Sequence, residues 1–280
     1  MQRPLVVPAL LLLLLPTVGC NKIRARAELK NGNALYANEQ YKGALTQFQK
    51  GLELDPEATF AWRSVGLSAL ALYKPGDTSP QNVQYAKTAT DAFEKYLRDH
   101  PDDEKIREYL LSTYVNAKMY PEAMAYLDEQ AKAHPNDPQY LNAKVRILIL
   151  SGQFQEAERM AAQYTGPNRH EIFYAIGHGA YEKVYNDPDL NVEQRTALAD
   201  TGLEALQRSI EAKPDYFQSL VYYNLMLREK AKMETDANKR MEYLAEADQW
   251  RDKAVAQGKK DNESKKAAEA KQSEPKKVEG

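Results

Sequence analysis

The apolar positions of this chain come in blocks, each closed by a proline. Between Pro101 and Pro135, Leu110 and Tyr114 share one helical face and Ala123 and Leu127 share another, with polar residues filling the positions between. The order is large, aromatic, small, large. Related blocks close at Pro56, Pro101, Pro135 and Pro214, and the block from Pro101 to Pro135 runs for 34 residues without a gap. Apolar residues three and four apart predict amphipathic helices, and a fixed period of this length predicts stacked helical repeats. One such helix pair cannot bury its apolar faces alone, so the units must pack against their neighbours.

Aligning the blocks on their prolines gives the organisation. Repeat one runs from about Ala25 to Ala58, with Gly32 and Leu35 on its first helix and Ala44 and Phe48 on its second. Repeat two carries Trp62, Val65 and Gly66, then Ala89 and Phe93; repeat three is the uninterrupted block. Repeat four has Leu141, Val145 and Leu148, then Ala157 and Ala161, and repeat five has Phe173, Ile176, Gly177 and Ala180, then Gly202 and Leu206. A sixth, degenerate unit holds Phe217, Leu220, Tyr223 and Leu227, followed by a helix with Met241, Leu244, Ala247, Trp250 and Ala254. Ala44, Ala89, Ala123, Ala157 and Gly202 occupy one repeat position. A small residue is needed there because neighbouring helices approach closely, and overpacking costs about 1–3 kcal/mol. The prolines lack an N–H and push the preceding residue out of helix, which ends each second helix. Repeats two and five are overlong, and their extra residues are expected in turn-rich loops, 74–83 and 186–196, between the two helices of each unit.

These residues resemble the tetratricopeptide repeat (TPR) family. The resemblance implies an all-α fold, a right-handed α-solenoid of about five to six helix-turn-helix repeats over residues 25–257, closed by a C-terminal capping helix. It also implies a concave groove, lined by the first helix of each repeat, that binds protein or peptide partners. The corresponding positions here are Tyr36, Arg63, Asn116, Asn142, Arg146, Tyr174, His178, Tyr181 and Arg228. Arg146 with Asn142 and Arg63 suits a carboxylate or a backbone amide, and tyrosines supply apolar area at low entropic cost. The clamp by which some eukaryotic TPR proteins hold chaperone tails is not expected, because Leu29 and Glu108 stand where it has lysines.

The N-terminus adds a second signal. Arg3 precedes an apolar stretch from Leu5 to Leu15, then Val18-Gly19-Cys20. The stretch is well short of the ~20 residues needed to span a bilayer, and it reads as an export signal. Its end resembles the bacterial lipoprotein box, which implies removal of residues 1–19 and lipidation of Cys20, although Thr17 stands where a leucine is usual. Residues 20–24 are then a short tether, and Asn21 after the cysteine implies the outer membrane, facing the periplasm. This layout is similar to that of type IV pilus pilotins and of the TPR lipoproteins of outer-membrane assembly. It leaves two functions open: a membrane-anchored scaffold for protein partners in envelope or secretion assembly, or a tethered adaptor for periplasmic peptidoglycan enzymes.

Composition narrows the chemistry. The net charge is −2 with both signs mixed along the chain, so no basic face for nucleic acid is expected. A single cysteine excludes an internal disulfide and any multi-cysteine metal site. No phosphate-cradling glycine loop occurs, and His170 and His178 lie too far apart on one helix to share a metal without other ligands. No cofactor, metal or enzymatic activity is expected. Residues 258–280, rich in Lys, Glu, Ala and Ser, are expected to be a disordered tail.

Overall fold

The computed structural model of the chain describes residues 17–134 and 137–273. Twelve helices and no strand occur among them. They are α1 (Thr17–Ala37), α2 (Tyr41–Leu54), α3 (Ala61–Leu72), α4 (Pro80–Asp99), α5 (Glu104–Asn116), α6 (Tyr120–Ala133), α7 (Pro138–Leu150), α8 (Phe154–Ala162), α9 (Arg169–Asn186), α10 (Val192–Ala212), α11 (Phe217–Met233) and α12 (Ala237–Ser273). The six expected first helices are the odd-numbered ones, and the six second helices are the even-numbered ones. The helices divide into two compact units, Met1–Ala123 and Met124–Gly280.

In the first unit α1 packs on α2, α2 on α3, α3 on α4 and α4 on α5. The shared small positions are fully buried at Ala44 and Ala89. Gly66 shows why the first helix also needs a small residue: a Cβ there would lie 2.4 Å from Cε1 of Phe93, and that ring is itself buried. Tyr114 Oη donates a 2.5 Å hydrogen bond to Glu94, tying the third repeat to the second.

The second unit stacks α7 to α12 in the same way, with α9 against both α10 and α11. Its core includes Val145, Leu148, Phe154, Phe173, Ile176, Leu206, Met226 and Leu227. Gly177 repeats the role of Gly66, since a Cβ would meet Leu206 Cγ at 2.4 Å and the Gly202 carbonyl at 3.0 Å. Ser209 Oγ donates to the His170 carbonyl at 2.7 Å and lies 2.7 Å from Ser219 Oγ, a buried polar tie joining α9, α10 and α11.

Repeats one, three and four join their two helices by one turn. Glu39, Lys118 and Gly152 each adopt a left-handed backbone, with φ of 59°, 57° and 79°. The next residue's N–H then reaches back to a carbonyl in the last turn of the first helix: Gln40 to Leu35 at 2.9 Å, Met119 to Tyr114 at 2.8 Å and Gln153 to Leu148 at 2.7 Å. This is the 6→1 bond that closes many helices.

Repeats two and five lack that turn, and here the structure corrects the sequence. The connections are only residues 73–79 and 187–191. Most of the extra chain lengthens helices, with α4 at 20 residues, α9 at 18 and α10 at 21, against 12 in α3 and 13 in α5 and α7. Each connection is pinned by one side chain of the following helix. Asn82 accepts from the Lys74 N–H at 2.7 Å and donates to the carbonyls of Lys74 and Asp77 at 2.8 and 2.7 Å. Arg195 donates to the carbonyls of Val184, Asp187 and Leu190. The stretches 74–83 and 186–196, expected as loops, contain both pins, and cutting those stretches to short turns would remove the two side chains together with helical residues.

Both ends of the array also differ from expectation. Residues 20–24, expected to be a tether, lie within α1, where Ala25 is buried and Lys22 pairs with Glu57 at 2.6 Å. The proposed signal peptide lies outside the described residues up to position 16. At the other end α12 continues without a break through Gly258 to Ser273, so that part of the expected disordered tail is helical. Nucleation is the costly step of helix formation. Packing of Ala247 and Ala254 supplies it, after which Lys, Glu, Ala and Gln are good residues for propagation. The last residues of the tail, 274–280, lie outside the described part.

Candidate functional site

The predicted groove residues fall in both units. In the first, Tyr36 sits edge-on to Tyr41, with ring centroids 5.2 Å apart. Arg63 is already engaged, 3.7 Å from Asp103, which also caps α5 by accepting from the Ile106 N–H at 3.1 Å. Asn116 is exposed at the end of α5. In the second unit Arg228 is a brace: it donates to Asp248 of α12 at 2.6 Å and to Asn224 at 3.4 Å. Arg63 and Arg228 each pair with a carboxylate from a neighbouring element, partners that sequence position alone does not reveal.

The other residues come together. A cavity of about 500 Å³ opens between α7 and α9, and Asn142, Arg146, Tyr174 and His178 all line it. Asn142 and Arg146 are four apart on α7, and so are Tyr174 and His178 on α9, so each pair shares a face. Among the described residues Arg146 is exposed and has no ion pair, hydrogen bond or ring contact. Val145, Ile149 and Ile172 give the cavity an apolar floor, and Glu171 and Asn168 complete its rim. An unpaired guanidinium beside an amide, over apolar surface, is able to hold a carboxylate bidentately and to bury aliphatic atoms next to it.

Tyr181 joins a ring cluster next to the cavity. Tyr174 stacks on His178 with centroids 5.5 Å apart, and Tyr181 stacks on Tyr185 at 5.7 Å. Tyr216 and Tyr222 complete it, and neither is among the positions that the repeat periodicity selects. Tyr222 stands beside the core residue Tyr223, and the doublet was the available signal: on a helix whose next residue is buried, one of its neighbours faces the preceding repeat. Burial pushes the Tyr174 phenol up to about 12, with Tyr222 and Tyr216 adding to the effect, and burial also raises Tyr181 and Tyr216.

That shift predicts an alkaline limit. Below the ordinary phenol value near 10 both folded and unfolded chains keep these protons. Above it the unfolded chain ionises first, so stability is full below about pH 10 and is lost as pH rises toward 12. Urea midpoints measured across that range should fall, and fall less steeply in Tyr174→Phe. Equal slopes for the two proteins would contradict the assignment.

Residues 86–147, from within α4 to within α7, match the family model of the tetratricopeptide repeat. The TPR protein YrrB, whose structure is described as having an unusual peptide-binding site, is 23% identical over 72% of this chain and 93% of its own, with a TM-score of 0.39. A TPR repeats protein from Bacteroides fragilis NCTC 9343 is 14% identical over 72% of this chain and 97% of its own, with a TM-score of 0.43. No curated protein matches the sequence. The described residues are thus all-helical, with a match to the tetratricopeptide repeat over residues 86–147.

Proposed function

We propose that this chain is a membrane-anchored TPR scaffold of the bacterial envelope that binds a peptide segment of a protein partner in the α7–α9 cavity. The observation that carries the binding part is the convergence of Asn142, Arg146, Tyr174 and His178 on that cavity, with Arg146 unpaired among the described residues. A partner carboxylate or backbone amide would sit against Asn142 and Arg146, and its apolar atoms against Val145, Ile149 and Ile172. The anchoring part is carried by the apolar stretch ending in Val18-Gly19-Cys20 and by Asn21 after it. The lipid would be attached to Cys20, which is exposed, and the protein would face the periplasm from the outer membrane.

One capture experiment with two variants tests the proposal. Wild-type protein is expected in the membrane fraction, and its detergent-solubilised form should capture a discrete envelope partner. Arg146→Ala should lose at least about tenfold in affinity for that partner, in line with removal of a charge-assisted bidentate contact. Cys20→Ala should leave the lipidated membrane pool while still binding. A secretin or barrel-assembly component among the captured proteins identifies the assembly role, whereas hydrolases or synthases identify the adaptor role. Wild-type protein in the soluble fraction with an unmodified thiol would overturn the anchor, and capture unaffected by Arg146→Ala would overturn the cavity.

A further inference from the structure

The face of α9 beside the cavity carries chemistry that the Arg146 corner does not use. Glu171, Tyr174, His178 and Glu182 follow at spacings of three, four and four residues, which places them in one stripe along the helix. Tyr222 of α11 stands against the middle of that stripe, its centroid 5.8 Å from Tyr174 and 4.4 Å from His178, with interplanar angles of 61° and 79°. Tyr181 meets the same ring at 5.3 Å and 71°.

Two things are missing from this stripe. Elsewhere the chain covers its aromatic rings with its own cations: Lys95 lies 4.0 Å over Trp62, Lys253 3.7 Å over Trp250 and Lys230 4.9 Å over Tyr243. Among the described residues no Lys or Arg lies over Tyr174, His178, Tyr181 or Tyr222. Among the described residues the carboxylates are also left without a Lys or Arg partner. Glu171 has His170 at 3.8 Å as its one basic neighbour, and Glu182 has His178 at 3.7 Å as its one basic neighbour and a neutral donor in Asn186 at 2.9 Å. Glu182 acts in the same direction as burial on the phenols of both Tyr174 and Tyr181. A purely apolar occupant would strip water from these carboxylates without replacing it, which is costly. A cation would satisfy the rings and the carboxylates together.

We infer that the Tyr174–His178–Tyr222 stripe receives a lysine or arginine side chain of the bound segment, with the cation against the rings and within reach of Glu171 or Glu182. Arg146, across the cavity, takes an acidic group or carbonyl of the same segment, so the recognised sequence is one of mixed charge. The inference rests on the reading of the α7–α9 cavity as a peptide site.

The test selects a phage-displayed library of short random peptides on the full-length protein and measures the synthesised winners by fluorescence anisotropy. Selected peptides should contain Lys or Arg, and replacing that residue by norleucine should weaken binding to the wild type about tenfold. Glu171→Gln/Glu182→Gln, a change confined to exposed carboxylates, should weaken the parent peptide by a similar factor and leave the norleucine peptide unaffected. Tyr222→Leu should do the same, with circular dichroism confirming its fold. If the norleucine peptides bind the wild type as well as their parents do, or the parents bind the double variant unchanged, the inference is wrong. Peptides that lose affinity on Arg146→Ala but ignore the stripe variants would leave the cavity standing and the inference overturned. Peptides indifferent to both sets of variants, or no selected peptide at all, would overturn both.

Discussion

Phe173→Ala is expected to destabilise the second unit by about 3–5 kcal/mol, the range for deleting a fully buried aromatic ring. Phe173 is 0% exposed and packs with Ile176, Leu206 and the neighbouring residues of α9 and α10. Its ring is also a platform: the guanidinium groups of Arg169 and Arg208 lie 5.1 and 5.7 Å from its centroid. Arg208 in turn pairs with Glu158 of α8 at 3.3 Å and with Glu204 at 2.9 Å. The deletion therefore leaves a cavity and loosens the ion pairs that tie α8 to α10. Repeat arrays need not unfold in one step, so the measurement is native-state hydrogen exchange read segment by segment. Protection should collapse first in α8, α9 and α10. A loss below about 1.5 kcal/mol there would mean that the site relaxes around the missing ring, contrary to the packing described.

Asn82→Ala is expected to cost the first unit about 2–4 kcal/mol, which is large for a residue at the edge of a connection. Asn82 is 3% exposed, and its side chain makes three hydrogen bonds, to Lys74 N, Lys74 O and Asp77 O. Each is worth about 1 kcal/mol, with a further penalty for any buried group left unpaired. Asn82→Asp separates the contributions, because it keeps the acceptor for Lys74 N–H and loses both donors. Urea titrations should rank wild type above Asp and Asp above Ala. If alanine equals wild type, water has replaced all three bonds and the connection 73–79 is not held by this side chain.

These two residues mark the limit of what the sequence discloses. Phe173 is legible without a structure, since it sits in phase with Trp62, Leu141 and the other large first-helix residues. Asn82 is not, because its three partners are backbone groups whose positions depend on where α3 stops and α4 starts. The extra residues of repeats two and five carry Pro, Gly, Asp and Asn, which suit loops, yet most of the added length is helix, because a longer second helix still finds apolar neighbours to bury against. In the same way the charged stretch after Gly258 lacks a core of its own but inherits a nucleated helix from α12.

The candidate site divides along the same line. Periodicity selected Asn142, Arg146, Tyr174, His178 and Tyr181 as exposed positions on first helices, and four of them do line one cavity. Exposure alone did not tell a free cation from a paired one. Arg63, Arg146 and Arg228 occupy comparable places in the repeat, but Asp103 and Asp248 neutralise the first and third. Charge pairing depends on distances of a few ångströms between helices that are remote in sequence, and no periodicity encodes those.

The sequence by itself determined the helix pairs, their order, the small residues where helices touch and the prolines that end them, because local helix propensity and one-sided burial depend only on residue type and spacing. Tertiary structure alone decided which of Arg63, Arg146 and Arg228 are paired, that Tyr222 closes the ring cluster on α9 and that single side chains hold the long connections. Each of those depends on the approach of groups from different helices, and packing fixes that approach only once the whole stack of a unit is assembled.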